Sequence, residues 1–206
     1  MKKTIGRITS ILVLTVTLAL LIASCQKDRT PHHGDYPDNA DSIFANSKCA
    51  RSMPVILQVP AGNKLSLFSY GKGVQIYQVQ RSSTDKNVFV WVNTAPDATI
   101  FARENFTKQL ALHYAGPTWE FTDGFLKGDK VVASRLQGAA KDVTAIPWLL
   151  LKTVDSLSVN NKITYIQRLC TEGGLAPTTG ADENHLGQVV SIPYTAAYLF
   201  YVADKY

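Results

Sequence analysis

The sequence predicts an all-β fold, a single antiparallel β-sandwich or barrel of about ten strands with long loops. Apolar and polar residues alternate with a period of two in many short segments, as they do in half-buried strands. Turns rich in Gly, Pro and Asn separate these segments at intervals of about 8–15 residues. After residue 51, no long segment has the spacing of an amphipathic helix.

The individual strands follow from this alternation and from the turns between them. Gly71-Lys72-Gly73 is interpreted as a hairpin turn, which separates the strands on either side of it. The segment 98–112 also has some helical spacing, which leaves its assignment open. Residues 171–188 show no strand signal and predict a long ordered loop of the kind that often carries function. The predicted strands cover residues 55–59, 65–70, 74–79, 88–92, 99–103, 109–114, 118–122, 130–135, 148–153, 163–169 and 194–202.

The amino-terminal residues predict an export signal. Three basic residues precede an apolar run over residues 8–22, which at about 15 residues is short for a membrane-spanning helix. The run ends in Ala-Ser-Cys at Cys25, the pattern of a bacterial lipobox. We expect residues 1–24 to be a lipoprotein signal peptide and Cys25 to carry fatty-acid chains, palmitate among them, that anchor the protein to a membrane. The alternatives are a transmembrane anchor or a secreted protein in which Cys25 is incidental.

This signal predicts that the mature protein resides in the bacterial cell envelope. Gln26, directly after the cysteine, favours the outer membrane, and the face of that membrane stays open. Without residues 1–24, 182 of the 206 residues remain, with 18 basic and 16 acidic side chains and a net charge of +2. No basic run and no interleaving of basic with aromatic residues occurs, so we expect no nucleic-acid partner.

The mature chain is divided into a tether and one domain. Residues 25–50 combine Pro, Gly and charged residues without periodicity, which predicts a flexible tether. Residues 51–206 form the predicted β-rich domain, which is long enough to enclose a core. Cys49 and Cys170 are the cysteines that remain besides Cys25, and an oxidising compartment permits a disulfide between them. Two buried thiols are the alternative.

Several sequence blocks are distinctive enough to compare with known families. The most specific block is HYAGPTWE at residues 113–120, and the others are GVQIY at 73–77, AIPWLLL at 145–151, TYIQRL at 164–169, GGLAP at 173–177 and VSIPYTA at 190–196. In this order they resemble the bacterial and fungal family of unknown function DUF3455, over about residues 52–203. The resemblance implies a shared fold and no established activity. It also implies that a family disulfide is missing, because Val79 and Ala181 stand where relatives often have cysteines.

Some fungal members of that family carry a malate-dehydrogenase label, which the residues here do not support. Gly71 and Gly73 match the first two glycines of a dinucleotide-binding fingerprint, but Ile76 stands at the third position and no helix follows. The G-x-S-x-G pattern of many hydrolases does not occur either. We therefore expect no cofactor, and the sequence leaves enzymatic activity open.

Chemically interesting side chains concentrate between residues 113 and 123. His113 and Glu120 lie at the two ends of a predicted turn, and with Asp123 they are candidate ligand-binding or catalytic residues. In the alternative, structural interpretation, His113 hydrogen-bonds a turn carbonyl and Glu120 pairs with Arg168 or a lysine. The spacing of a closed metal site, such as H-x-x-x-H or C-x-x-C, does not occur, so no metal is predicted.

Aromatic residues lead to a second, non-catalytic interpretation. Trp119 and Arg168 together offer an aromatic face and hydrogen-bond donors, the usual means of holding sugars or planar ligands, unless Trp119 is a core residue. The leading hypothesis is a non-enzymatic envelope lipoprotein that binds a glycan, a small ligand or an envelope protein. The rival hypothesis is an enzyme or metal-binding protein that uses a cluster of His113, Glu120 and Arg168.

Overall fold

The alternating side chains arrange into eight antiparallel strands that close into a barrel. The structure is a computed structural model and describes residues 40–204. The strands follow one another around the barrel in chain order, and β8 pairs with β1 to close it. The predicted all-β antiparallel class is confirmed, and its architecture is the barrel. The strands are β1 (Asn63–Arg81), β2 (Phe89–Phe101), β3 (Gln109–Tyr114), β4 (Thr118–Phe121), β5 (Lys130–Ala139), β6 (Trp148–Thr153), β7 (Ile163–Gly173) and β8 (Val189–Ala203).

The strands are fewer and longer than the sequence predicts. β1 runs without interruption through Gly71 and Gly73, so the hairpin turn assigned to these glycines is wrong. Val55–Leu57 forms one turn of 3-10 helix in place of a strand. The segment 98–112, which the sequence leaves open between helix and strand, contains the end of β2 and the start of β3.

Gly71 and Gly73 face the inside of the barrel, where neighbouring groups leave no room for a side chain. A Cβ atom on Gly71 would lie 2.5 Å from the Tyr198 ring. A Cβ atom on Gly73 would overlap the carbonyl oxygen of Asp97 and the backbone of Ala98. Glycine within a strand often marks such a close approach. The two glycines therefore let β1 pass directly beside the Tyr198 ring and the backbone of β2.

The barrel interior holds an apolar and aromatic core. Phe200 packs edge to face against Trp119 and Phe121, with ring centroids 6.1 and 5.2 Å away. Side chains from every second position of the strands fill this space, because successive residues of a strand point to opposite faces. The buried residues of this core include Leu67, Ile100, Ala111, Val131, Ala133, Leu151 and Ile166.

A second apolar layer covers part of the outer surface of the barrel. Two short helices, α1 (Ala40–Asn46) and α2 (Lys48–Arg51), lie in this layer together with Leu57. Gln167 on β7 is fully buried beneath it. The Gln167 Nε2 donates to the carbonyl oxygen of Leu57 at 2.6 Å, and its Oε1 accepts from the Tyr201 hydroxyl at 2.7 Å. The amino-terminal segment is thus hydrogen-bonded to the barrel as well as packed on it.

The same segment is joined covalently to the barrel. Cys49 in α2 and Cys170 in β7 form a disulfide, with Cα atoms 5.6 Å apart and a sequence separation of 121. Residues 40–50 are therefore part of the domain, whereas the sequence assigns them to a flexible tether. The remainder of that tether, with Cys25, lies outside the described residues. Within residues 40–204, no helix has the length and apolar character needed to cross a membrane.

The loop between β7 and β8 is held against the end of β1 and the start of β2. Trp91 on β2 donates from its Nε1 to the carbonyl oxygen of Thr179 at 2.8 Å. Arg81, at the end of β1, forms an ion pair with Glu183 at 3.2 Å. The loop begins later than the predicted residue 171, because β7 continues to Gly173.

Replacing Gly73 by alanine tests whether barrel closure needs a bare backbone at this position. The added methyl group meets the Asp97 carbonyl oxygen and the Ala98 backbone, which move only if β2 is displaced. We expect Gly73→Ala to lower the free energy of unfolding by about 1–3 kcal/mol, the usual range for overpacking, as measured by urea denaturation. Gly138→Ala is the matched control, because its nearest neighbour is the flexible end of Arg135. Equal losses in the two variants would contradict the prediction.

Candidate functional site

Strand register decides which of the predicted site residues meet. In the β3–β4 hairpin, His113 lies opposite Trp119, and Leu112 lies opposite Glu120. Because side chains alternate across a strand, His113 and Trp119 point into the barrel and Glu120 points outward. Glu120 accepts a hydrogen bond from the Tyr114 hydroxyl at 2.7 Å on the barrel surface. The structure therefore does not bring His113 and Glu120 together.

Asp123 also lies away from His113. It is exposed in the loop after β4, at the opposite end of the barrel from the β3–β4 turn. Arg168 lies opposite Tyr198 and shares the interior with His113, without pairing with Glu120. The cluster of the rival hypothesis is thus divided between the two faces of the barrel wall. Among the residues that the structure describes, no group of three or more His, Cys, Asp and Glu is placed to hold a metal ion.

Arg168 is positioned by the loop that precedes β6. Its Nη2 donates to the carbonyl oxygen of Pro147 at 2.9 Å. That loop is tied to the same strand, because the Thr171 hydroxyl donates to the carbonyl oxygen of Ile146 at 2.5 Å. The Ile146 N–H donates in turn to the carbonyl oxygen of Gly173 at 2.9 Å. β7 therefore carries the Arg168 guanidinium and also fixes the position of its acceptor, the carbonyl oxygen of Pro147.

His113 is a buried histidine with a defined tautomer. Its ring stacks on Trp119, with centroids 4.2 Å apart and planes inclined by 10°. Its Nδ1 lies 2.9 Å from the Thr118 carbonyl oxygen, which can only accept, so Nδ1 carries the ring proton. Burial lowers the pKa of His113 to about 3; the Thr118 hydrogen bond opposes this shift and the Arg168 guanidinium adds to it. The ring is therefore neutral at pH 7, with Nε2 as an acceptor.

A cavity of about 500 Å³ opens at the end of the barrel where β3 turns into β4, and we call it the mouth pocket. Its buried lining includes His113, Trp119 and Tyr198. Its exposed lining includes Asn93 and Gly116. The mouth pocket thus leads from solvent to the aromatic core.

Polar side chains of β1, β2 and β8 complete this region, and the sequence analysis does not select them. Asn93 donates from Nδ2 to Gln75 Oε1 at 3.0 Å, and the hydroxyls of Tyr194 and Tyr198 lie 3.0 Å apart. Burial raises the pKa of both tyrosines, so their hydroxyls stay protonated at neutral pH. The signal that would reveal such residues is a polar group at a position that the alternation assigns to the same face as core residues.

Three donor nitrogens in the lining of the mouth pocket form no hydrogen bond of good geometry within residues 40–204. They are Nε2 of Gln75, Nε1 of Trp119 and Nε of Arg168. Gln75 and Trp119 are only 4% and 1% exposed. Leaving a buried donor without an acceptor costs about 1–3 kcal/mol, so most such groups are paired. The wall of the mouth pocket therefore contains buried donor groups that the described chain leaves without a partner.

A larger groove of about 820 Å³ lies on the outer surface of the barrel, between α1 and strands β1, β7 and β8. Two of its charged groups pair with each other, since Lys48 Nζ and Glu172 Oε1 lie 3.1 Å apart. None of the buried side-chain atoms found without a hydrogen bond in the described chain belongs to its lining. The mouth pocket is the better candidate site, although it is the smaller of the two.

The buried neutral His113 makes the stability of the protein depend on pH. Its pKa is near 6.5 in an unfolded chain and about 3 in the folded protein, so below pH 6.5 the unfolded chain binds an extra proton. We expect the free energy of unfolding to fall as the pH falls from about 6.5 to 3, by up to about 1.4 kcal/mol per pH unit from this residue. His113→Phe keeps a ring against Trp119 and should flatten that part of the profile in urea denaturation. Parallel profiles for the two proteins would refute this assignment.

The sequence blocks described above are matched by a family comparison. The family described as "Protein of unknown function (DUF3455)" matches residues 60–202. No curated protein matches the chain. Among solved structures, the pterocarpan synthase dirigent protein GePTS1 is similar at 14% identity and a TM-score of 0.35, covering 72% of this chain and 91% of that chain. Because the family match spans more than half of the chain, the protein belongs to the DUF3455 family.

Proposed function

We propose that this protein is an envelope lipoprotein that binds a small ligand in the mouth pocket and does not catalyse a reaction. The observation that carries the proposal is the mouth pocket itself, a cavity of about 500 Å³ whose lining combines apolar walls with unpartnered N–H groups. Ligand sites in proteins typically have this size and mixture, with volumes of about 300–1,000 Å³ and a few convergent polar groups.

The side chains of the mouth pocket favour binding over catalysis. General acid–base catalysis works best with a group whose pKa lies near the working pH. Burial instead lowers the pKa of His113 to about 3 and raises those of Tyr194 and Tyr198 above their usual value. Glu120, the carboxylate expected beside His113, lies on the outer face. The pocket thus offers hydrogen bonds and apolar contact more readily than proton transfer.

The shape of the mouth pocket favours a small molecule over a glycan chain or a protein partner. Leu149, Leu151 and Pro147 supply an apolar wall inside the barrel, and Trp119 and Tyr198 supply aromatic surface. The volume of about 500 Å³ suits a molecule of one or two fused rings. A long glycan or a protein surface would contact mainly the rim.

We further propose that lipid on Cys25 anchors the barrel in the cell envelope, at the outer membrane. The support is the basic start, the apolar run over residues 8–22 and the Ala-Ser-Cys sequence that ends it. The disulfide between Cys49 and Cys170 suits the oxidising compartment that such a signal implies. Residues 26–39 would then connect the lipid site to α1.

Metabolic labelling with radioactive palmitate tests the anchor. We expect wild-type protein made in a bacterium to incorporate the label and to sediment with membranes. Cys25→Ser should lose both properties, because the acceptor thiol is gone. Cys49→Ser is the matched control, since it removes a different cysteine and should stay labelled. Equal incorporation into wild type and Cys25→Ser would contradict the proposal.

Covering the mouth pocket tests the binding site. Pro96 is half-buried in the pocket lining and lies opposite the inward-facing Gln75, so Pro96→Trp adds a ring at the entrance on the inner face. We expect this variant to bind 2-naphthoate and its neutral isostere 2-naphthamide at least about tenfold more weakly than wild type, by isothermal titration calorimetry. Leu136→Trp, at an exposed position outside the pocket lining, should bind like wild type. Unchanged binding by Pro96→Trp would place the site elsewhere.

A further inference from the structure

Arg168 is the only charged side chain in the described lining of the mouth pocket, because His113 is neutral. Arg168 is half-buried; its Nη2 donates to the carbonyl oxygen of Pro147, and the Tyr198 hydroxyl is a second polar neighbour of the guanidinium. Its Nε has no acceptor. Within residues 40–204, no carboxylate forms an ion pair with Arg168. A cation therefore lies in the mouth pocket without a counterion from the described chain.

A charge withdrawn from water without a counterion is unfavourable, which is why buried charges in proteins are normally paired. The groups around Arg168 supply only dipoles, namely one backbone carbonyl and the hydroxyls of nearby tyrosines. The positive charge acts on three of those tyrosines, since it counteracts the rise in pKa that burial causes at Tyr77, Tyr194 and Tyr198. The Arg168 charge thus acts on groups of both β1 and β8 around the mouth pocket.

Two further groups in the same pocket are donors without acceptors. Asn93 donates to Gln75 Oε1, which identifies Nε2 as the other end of the amide; within the described chain Nε2 forms no hydrogen bond of good geometry, and the Tyr194 hydroxyl is its nearest polar influence. Trp119 Nε1 can only donate, and it has no acceptor. The two donors and the guanidinium require the same complement, an acceptor that carries negative charge. A neutral apolar ligand would leave all three unsatisfied.

We infer that the ligand of the mouth pocket is a small carboxylic acid with an apolar body, bound as its anion with the carboxylate on Arg168. The inference rests on the proposed binding function and names its ligand class. One guanidinium balances a single negative charge, which matches a carboxylate better than a phosphate group carrying about two. Gln75 and Trp119 add the positive ends of their N–H dipoles from beneath the pocket wall, and Leu149 belongs to the apolar lining that would face the body of the ligand.

Calorimetry on the purified full chain tests the inference with 2-naphthoate and 2-naphthamide, which share shape and differ in charge. We expect wild type to bind the carboxylate at least about tenfold more tightly than the amide. Arg168→Gln should remove this preference by weakening the carboxylate about tenfold or more, with a much smaller effect on the amide, which carries no charge. Arg168→Lys should retain part of the preference, because it keeps the charge and loses the planar fork.

The comparison of the two compounds on wild type needs no variant, so it stands even if Arg168→Gln fails to fold. Equal binding of carboxylate and amide would overturn the ligand class and leave the small-ligand function in place. Tighter binding of 2-naphthyl phosphate than of 2-naphthoate would overturn the carboxylate assignment in favour of a phosphate ester. No binding of any of the three compounds would overturn the proposed function together with the inference.

Discussion

Pairing of β1 with β8 closes the sheet, and the rest of the structure depends on this closure. The register runs from Asn63 opposite Ala203 to Gln78 opposite Val189, so the first and last strands are joined along most of their length. A closed barrel has no free edge, and alternate side chains from all its strands must share one interior. That shared interior leaves no volume for a side chain at Gly71, which lies beneath the Tyr198 ring. The aromatic core therefore requires glycine, which has no side chain, at this inward-facing position of β1.

The interior changes from apolar to polar toward the mouth of the barrel. On β8, Phe200 lies deepest and is followed toward the mouth by Tyr198 and then Tyr194. On β7, Ile166 is followed by Arg168 in the same direction. The residues nearer the mouth keep their apolar atoms against the core and place a polar group where the mouth pocket begins. One barrel therefore combines an apolar core, which supplies stability, with a cavity whose wall contains polar groups.

Alternation along the sequence predicts the fold class and the side chains that share a face, but it does not predict register. Tyr194 and Tyr198 are four residues apart in the segment predicted as a strand, so alternation puts them on one face, where the structure has them. His113 and Glu120 bracket a turn in the sequence, yet Trp119 is the residue opposite His113. A shift of one residue in strand register moves a side chain to the other face of the sheet. Register therefore decides whether His113 meets a carboxylate, as an acid–base pair requires, or stacks on an aromatic ring. The neighbours that exclude a side chain at Gly73 come from β2, and no local pattern reveals them.

The outer layer of the barrel also supports the residue to which we assign ligand recognition. Arg168 points inward between Gln167, which is hydrogen-bonded to Leu57 on the outer face, and the bulged region that contains Cys170. The disulfide from Cys170 to Cys49 fastens that region to the amino-terminal segment. Since β7 is held from outside on both sides of Arg168, the guanidinium is positioned before any ligand arrives, which limits the ordering that binding requires. The segment that leads toward the proposed lipid anchor is thus also part of the framework that holds the binding residue in place.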